Sequence, residues 1–125
     1  MDVRYLYNYR ATVERVIDGD TVEVTVDLGF RIALRQTVRL YGINAPELHG
    51  PTAEAGRAAR DFLRTLLPAG TQILVTSFKS DGAADKYGRW LGRLSFENGL
   101  SVNEEMVRTG NAVRYMDGSA DGVGK

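Results

Sequence analysis

The sequence predicts an α+β domain that is mainly β, and three observations predict it. Apolar and polar residues alternate through the first third of the chain, the period of a pleated strand. A single amphipathic stretch then spaces its apolar residues three and four apart, the period of a helix. Two more strand-like runs and a short capped segment follow it.

The elements follow in chain order. From Tyr5 to Ile17, residues Tyr5, Tyr7, Tyr9, Val13 and Ile17 share one parity, and their agreement with Val13 and Ile17 assigns the tyrosines to packing. Asp18-Gly19-Asp20 is a turn, because glycine frees the backbone and aspartate bonds its own neighbours. Val22, Val24, Val26 and Leu28 then alternate with Thr21, Glu23, Thr25 and Asp27, and Gly29 ends that strand. A third run sets Ile32, Leu34, Val38 and Leu40 on one face and Arg31, Arg35 and Arg39 on the other.

Gly50-Pro51-Thr52 opens the helix with Thr52 as N-cap, and its stripe is Ala55, Ala59, Phe62, Leu63, Leu66 and Leu67. Arg57, Arg60 and Arg64 ride the outer face, where Asp61 can pair with Arg57 or Arg64. Pro68-Ala69-Gly70 stops the helix. Gln72 to Phe78 and Trp90 to Phe96 are the fourth and fifth strands, the latter ended by Glu97-Asn98-Gly99. Ser101-Val102-Asn103-Glu104 has the spacing of a capping box, which predicts a short helix to about Thr109 with Gly110 beyond it. Ala112 to Tyr115 is a last extended piece. Asp117 to Lys125 is rich in glycine and aspartate and reads as a flexible tail, so residues 1–116 are the predicted domain and 117–125 the tail. Three strands, a helix, two strands and a second helix is the order of an OB-fold, a five-stranded Greek-key barrel. It is also the content of an α+β sandwich.

Composition bounds the function. At 125 residues the chain is one domain, large enough for a real core. It has no cysteine, which excludes disulfides, thiolate zinc sites and cysteine nucleophiles; the single histidine, His49, excludes His-rich zinc sites. A formal net charge of zero argues against bulk electrostatic binding of nucleic acid, so any phosphate contact must come from a local cation cluster. No apolar run approaches the roughly 20 residues of a membrane span, and Met1 to Tyr7 does not resemble a secretory signal. The expectation is a soluble, cytoplasmic monomer.

Chemistry concentrates in Ile17-Asp18-Gly19-Asp20-Thr21, in Arg39-Leu40-Tyr41-Gly42-Ile43-Asn44-Ala45-Pro46-Glu47 and in Asp85-Lys86-Tyr87-Gly88-Arg89. Oxygen donors beside turns suit a hard divalent cation, and arginine forks suit a phosphodiester. Alone, Asp18 and Asp20 would do no more than shape a turn, Glu47 would be an acid at a helix start, and Lys86-Tyr87 ordinary hairpin residues. Arg31 and Arg35 read as a solvated strand face.

Taken together, in this order and separation, the three stretches resemble the staphylococcal nuclease (thermonuclease) family from about Ala11 to about Tyr115. The resemblance implies an OB barrel and a calcium-dependent phosphodiesterase that acts on DNA and RNA, single-stranded or fraying, leaving 3′-phosphate products. Residue by residue, it implies that Asp20, Asn44 and the Ala45 carbonyl hold calcium, that Glu47 holds the attacking water, and that Arg39 and Arg89 grip the scissile phosphate. Lys86, Tyr87 and Tyr115 would line the nucleotide pocket. Asn44 departs from the family, which has a carboxylate there; its amide oxygen still ligates calcium, at about tenfold lower affinity. The chain also stops soon after Tyr115, where the family continues into a further helix, and it is less basic than the best-known members. A non-catalytic OB module that binds single strands by stacking and phosphate contacts is the rival reading.

Overall fold

A computed structural model describes residues 7–78 and 89–115. The strands are β1 (Asn8–Asp18), β2 (Thr21–Asp27), β3 (Ala33–Leu40), β4 (Ile43–Asn44), β5 (Gln72–Ser77), β6 (Trp90–Ser95) and β7 (Val113–Arg114). A 3-10 turn at Gly50–Thr52 leads into α1 (Ala53–Leu66), and α2 is Val102–Arg108. Five strands close a barrel in the order β1-β2-β3-β6-β5; all neighbours are antiparallel except β3 and β6. This is the predicted barrel, with α1 between the third and fourth barrel strands and α2 after the fifth. Ala112 to Tyr115 was expected to be extended; its centre, β7, pairs with β4 as a small second sheet.

Alternation fixes which side chains enter the barrel. Val22, Val24, Val38, Leu40 and Leu94 are buried, with Ala59, Leu63 and Leu67 of the helix region and Val102 and Met106 of α2 against them. On β1 the buried residues are Ala11, Val13 and Val16, not the single-parity series that ends at Ile17. The cause is a bulge: Val13 faces Val24 and Arg15 faces Glu23, so Glu14 is an extra residue and parity reverses beyond it. Tyr9 packs partly on the core as expected, whereas Tyr7 is exposed and has a left-handed backbone, φ 63°. Tyr5 lies outside the described residues.

The apolar faces predicted for the second and third strands hold only away from the hairpin that joins them. Val38 and Leu40 are buried, but Leu28, Ile32 and Leu34 are exposed, because the β2–β3 hairpin runs beyond the barrel wall. Its tip takes left-handed backbone at Gly29, Phe30 and Arg31, and Phe30 is 96% exposed.

On α1 the buried stripe is Gly56, Ala59 and Leu63, so Gly56 takes the place expected for Ala55. Asp61 pairs with Arg60 at 3.1 Å and Arg64 at 3.9 Å, not with Arg57. The α2 cap forms as predicted on one side, with Ser101 accepting from the Glu104 N–H at 3.2 Å. The Glu104 carboxylate turns instead to Arg114, 2.7 and 3.0 Å away.

Buried Asn103 ties α2 to the barrel. Its Oδ1 accepts from the Leu94 N–H at 3.1 Å, and its Nδ2 donates to the carbonyls of Tyr41 at 2.9 Å and Gly92 at 3.2 Å. Asn103→Leu leaves the Leu94 N–H and the Tyr41 carbonyl without this partner in an apolar setting, while the Gly92 carbonyl keeps its bond from the Tyr41 N–H. Urea denaturation should show a loss of about 2 kcal/mol or more, given roughly 1–3 kcal/mol for each buried group left unsatisfied.

Candidate active site

Close packing of small residues brings the two motif loops together. An added Cβ at Gly19 would stand 2.7 Å from the Ala45 Cβ and 2.8 Å from the Ala59 Cβ. Gly19 is therefore needed for closeness rather than for the backbone freedom its turn suggested. Gly56 plays the same part on the other loop: a Cβ there would overlap the Glu47 carbonyl oxygen and lie 2.7 Å from its carbon. That carbonyl also accepts from the Thr52 hydroxyl at 3.0 Å. Thr52 occupies the predicted N-cap, but its hydroxyl anchors the Pro46-Glu47 turn instead of capping α1.

Asp20 links the loops directly. Its Oδ2 accepts from the Ala45 N–H at 2.8 Å, and its Oδ1 accepts from the Thr21 hydroxyl at 3.2 Å. Its own N–H donates to Asp18 Oδ1 at 3.0 Å, the predicted turn made concrete. Burial pushes the Asp20 carboxyl above its ordinary range, against the opposing pull of Arg39 and the Ala45 N–H.

Arg39 is held across the same junction. Nη1 donates to the carbonyls of Leu40 and Ile43, both at 2.8 Å, and Nη2 donates to Asn44 Oδ1 at 3.2 Å. Asp20 Oδ2 lies 3.6 Å from Nη1. A guanidinium has five N–H donors. Three are committed among the described residues, which leaves Nε and one Nη2 hydrogen as a fork for a bidentate acceptor. Arg89 arrives from the start of β6, its Nη1 donating to the Thr21 hydroxyl at 3.3 Å.

Asp18, Asp20, Arg39, Asn44, Glu47 and Arg89 all line one cavity of about 440 Å³, with Ile17, Thr21 and Thr37. Of the residues singled out in the sequence, Asp20, Arg39, Asn44, Glu47 and Arg89 thus come together, and Ala45 joins them through its N–H. Tyr115 does not line the cavity; it is exposed, and its N–H donates to the Gly42 carbonyl at 2.8 Å. Lys86 and Tyr87 lie outside the described residues. Thr21, Thr37 and Gly56 were missed. Thr21 and Arg39 are cross-strand partners, a relation that no linear spacing announces.

The donor set fits calcium in kind. Asp20 offers a carboxylate, Asn44 an amide oxygen and Ala45 a main-chain carbonyl, all hard ligands. Among the described residues no three His, Cys, Asp or Glu side chains converge as a metal-binding group, so most of the coordination shell would be water and phosphate.

The chain matches the staphylococcal nuclease homologue family over residues 37–122. It is 40% identical over 111 residues to an uncharacterized endonuclease of Escherichia coli O157:H7, covering 89% of this chain and 64% of that protein. It is 36% identical over 115 residues to endonuclease YhcR of Bacillus subtilis, covering 86% of this chain and 9% of that protein. An uncharacterized protein of Methanocaldococcus jannaschii, MJ1439, is 28% identical over 131 residues, with 87% and 60% covered. The chain therefore spans less than two thirds of the length of each of these relatives.

Two outcomes follow from the packing and the charge. Gly56→Ala should displace the Glu47 backbone; amide shifts of Ala45, Glu47 and Leu48 should move while those of β5 stay fixed. The sign for Asp20 follows from its raised pKa: a carboxyl that resists ionisation in the fold loses stability as pH climbs through that raised value. In chelator at pH 7, thermal unfolding should find Asp20→Asn at least as stable as the parent, the advantage shrinking as pH falls through the raised value and gone below the ordinary 3.8. By the family match over residues 37–122 and the identity to these relatives, the chain belongs to the staphylococcal nuclease homologue family.

Proposed function

We propose that the protein is a calcium-dependent phosphodiesterase that hydrolyses single-stranded or fraying DNA and RNA. The observation that carries this reading is the convergence of Asp20, Arg39, Asn44, Glu47 and Arg89 on one cavity. The names of the two endonuclease relatives support the reaction class.

The roles follow from the chemistry of each group. The free Nε and Nη2 donors of Arg39 bind two phosphate oxygens, and Arg89 binds from the β6 side, so charge that builds on those oxygens meets fixed cations. The Glu47 carboxylate, which has no ion pair among the described residues, accepts a hydrogen bond from water and holds it in line with the phosphorus. Water's oxygen bonds to phosphorus and sheds a proton to solvent as the bond to the 5′ oxygen breaks; that oxygen takes up a proton in its turn, and the phosphate stays on the 3′ side. Asp20, Asn44 and the Ala45 carbonyl would hold calcium, which supplies further positive charge to the phosphate oxygens. Ordering of Asn44 by Arg39 also couples the cation site to the phosphate fork.

Denatured DNA should be cleaved with calcium and left intact with chelator. Glu47→Ala should lower the rate, and Arg89→Ala should lower it by roughly 10³-fold, as loss of other arginines that stabilise phosphoryl transfer does. Arg39→Ala is the poorer test, because it also removes the bonds to Leu40 and Ile43. Cleavage that persists in chelator and in both variants would overturn the assignment; tight binding without turnover at millimolar calcium would favour the non-catalytic module. Asn44→Asp should tighten calcium binding about tenfold and raise activity at limiting metal. An unchanged titration would remove position 44 from the ion.

A further inference from the structure

Beside the cavity, the outer face of the barrel carries an aromatic stack. The Tyr41 and Phe78 rings lie 4.3 Å apart, centroid to centroid, with 19° between their planes. The Arg93 guanidinium carbon stands 5.6 Å from the Phe78 centroid. Two main-chain bonds bring these residues together: the Tyr41 N–H donates to the Gly92 carbonyl at 2.8 Å and the Phe78 N–H to the Leu91 carbonyl at 3.0 Å. Each bond extends a barrel ladder one residue past its strand, so Tyr41 and Phe78 converge over β6.

Register then relates the stack to the cavity. Arg39 pairs with Leu91, and side chains two apart on a strand share a face. Tyr41 therefore continues the face of Arg39, and Arg93 continues the face of Leu91 and Arg89. Thr37 and Arg89 stand at the cavity end, with Tyr41 and Arg93 at the far end of the same short row. A single extended strand whose phosphate lies between Arg39 and Arg89 would lay its neighbouring base along this row. Tyr41 is 36% exposed, so the stack is open to solvent rather than sealed into the core. Glu104 lies near Arg93, but Arg114 already binds it in two places, which leaves Arg93 only partly neutralised.

We propose that Tyr41, backed by Phe78 and Arg93, is a base-stacking platform for the nucleotide next to the scissile phosphate. Every base has a π face, so the platform would confer affinity for single strands without base identity. This rests on the phosphodiesterase reading, and it explains how a chain with no net positive charge would still hold its substrate: stacking takes over from bulk electrostatics.

The test uses dithymidine monophosphate and its two counterparts that lack one base or the other, each with a single scissile bond. With the wild-type protein and calcium, loss of the base on one side should raise KM about tenfold and leave kcat unchanged, the range of one base–aromatic stack. Tyr41→Leu should raise KM for the intact compound by the same factor and abolish the difference, whereas Tyr41→Phe should preserve it. A variant that merely loosened the fold would instead lower kcat on all three compounds. Equal KM ratios in the wild type and Tyr41→Leu would overturn the platform. Should none of the compounds turn over, the hydrolytic reading fails by itself. Fluorescence titration with oligothymidylate and its abasic counterpart then decides the platform: a tenfold preference lost in Tyr41→Leu supports it, and no preference overturns it.

Discussion

The hydrogen bond from the Ala45 N–H to the buried Asp20 carboxylate is the constraint on which the site depends. It joins the turn after β1 to the loop after β4, which are 25 residues apart in the chain. Around it, the small volumes of Gly19, Ala45 and Ala59 allow the loops and α1 to close. Asp20 is costly to bury, as the rise in its pKa shows. A charged residue kept in such a place, with oxygen lone pairs still unused, fits a site whose stabilising partner is a cation rather than the fold alone.

Arg39 serves the scaffold, and under the proposed function it would serve the chemistry as well. Its Nη1 end staples the turn from Leu40 to Ile43, and this fixes the opposite edge of the guanidinium toward the cavity. Lysine, a point charge with no fork, could not do both. Asn44 takes part in the same arrangement, its amide oxygen accepting from Nη2.

Much of this was legible in the sequence, and the rest was hidden for physical reasons. Alternation in Thr21 to Asp27 and the three-four spacing of Ala59 to Leu67 depend on local periodicity and gave the order of elements, while the barrel itself was implied by the family resemblance. The inward face of β1 did not, because the Glu14 bulge reverses parity and leaves no mark in composition. The exposed Leu28, Ile32 and Leu34 were misread since periodicity reports a face but not where the barrel wall ends. Asp20, Arg39, Asn44, Glu47 and Arg89, motif residues that line the cavity, stood out in the sequence, and the roles proposed for them came from the family resemblance. Thr21, Gly56 and the Tyr41–Phe78 stack did not stand out, since each depends on a cross-strand or helix–loop neighbour that only the register supplies.

The claim at the centre is that cation and phosphate meet at one place, between the Asp20 turn and the Asn44–Glu47 loop. Amide chemical shifts recorded while calcium and a non-cleavable phosphorothioate dinucleotide are titrated together address it most directly. Perturbations should cluster at Asp20, Thr21, Asn44, Ala45, Glu47 and Arg89, and the dinucleotide should bind more tightly with calcium than without. Shifts confined to another face of the barrel, or none at millimolar calcium, would contradict it.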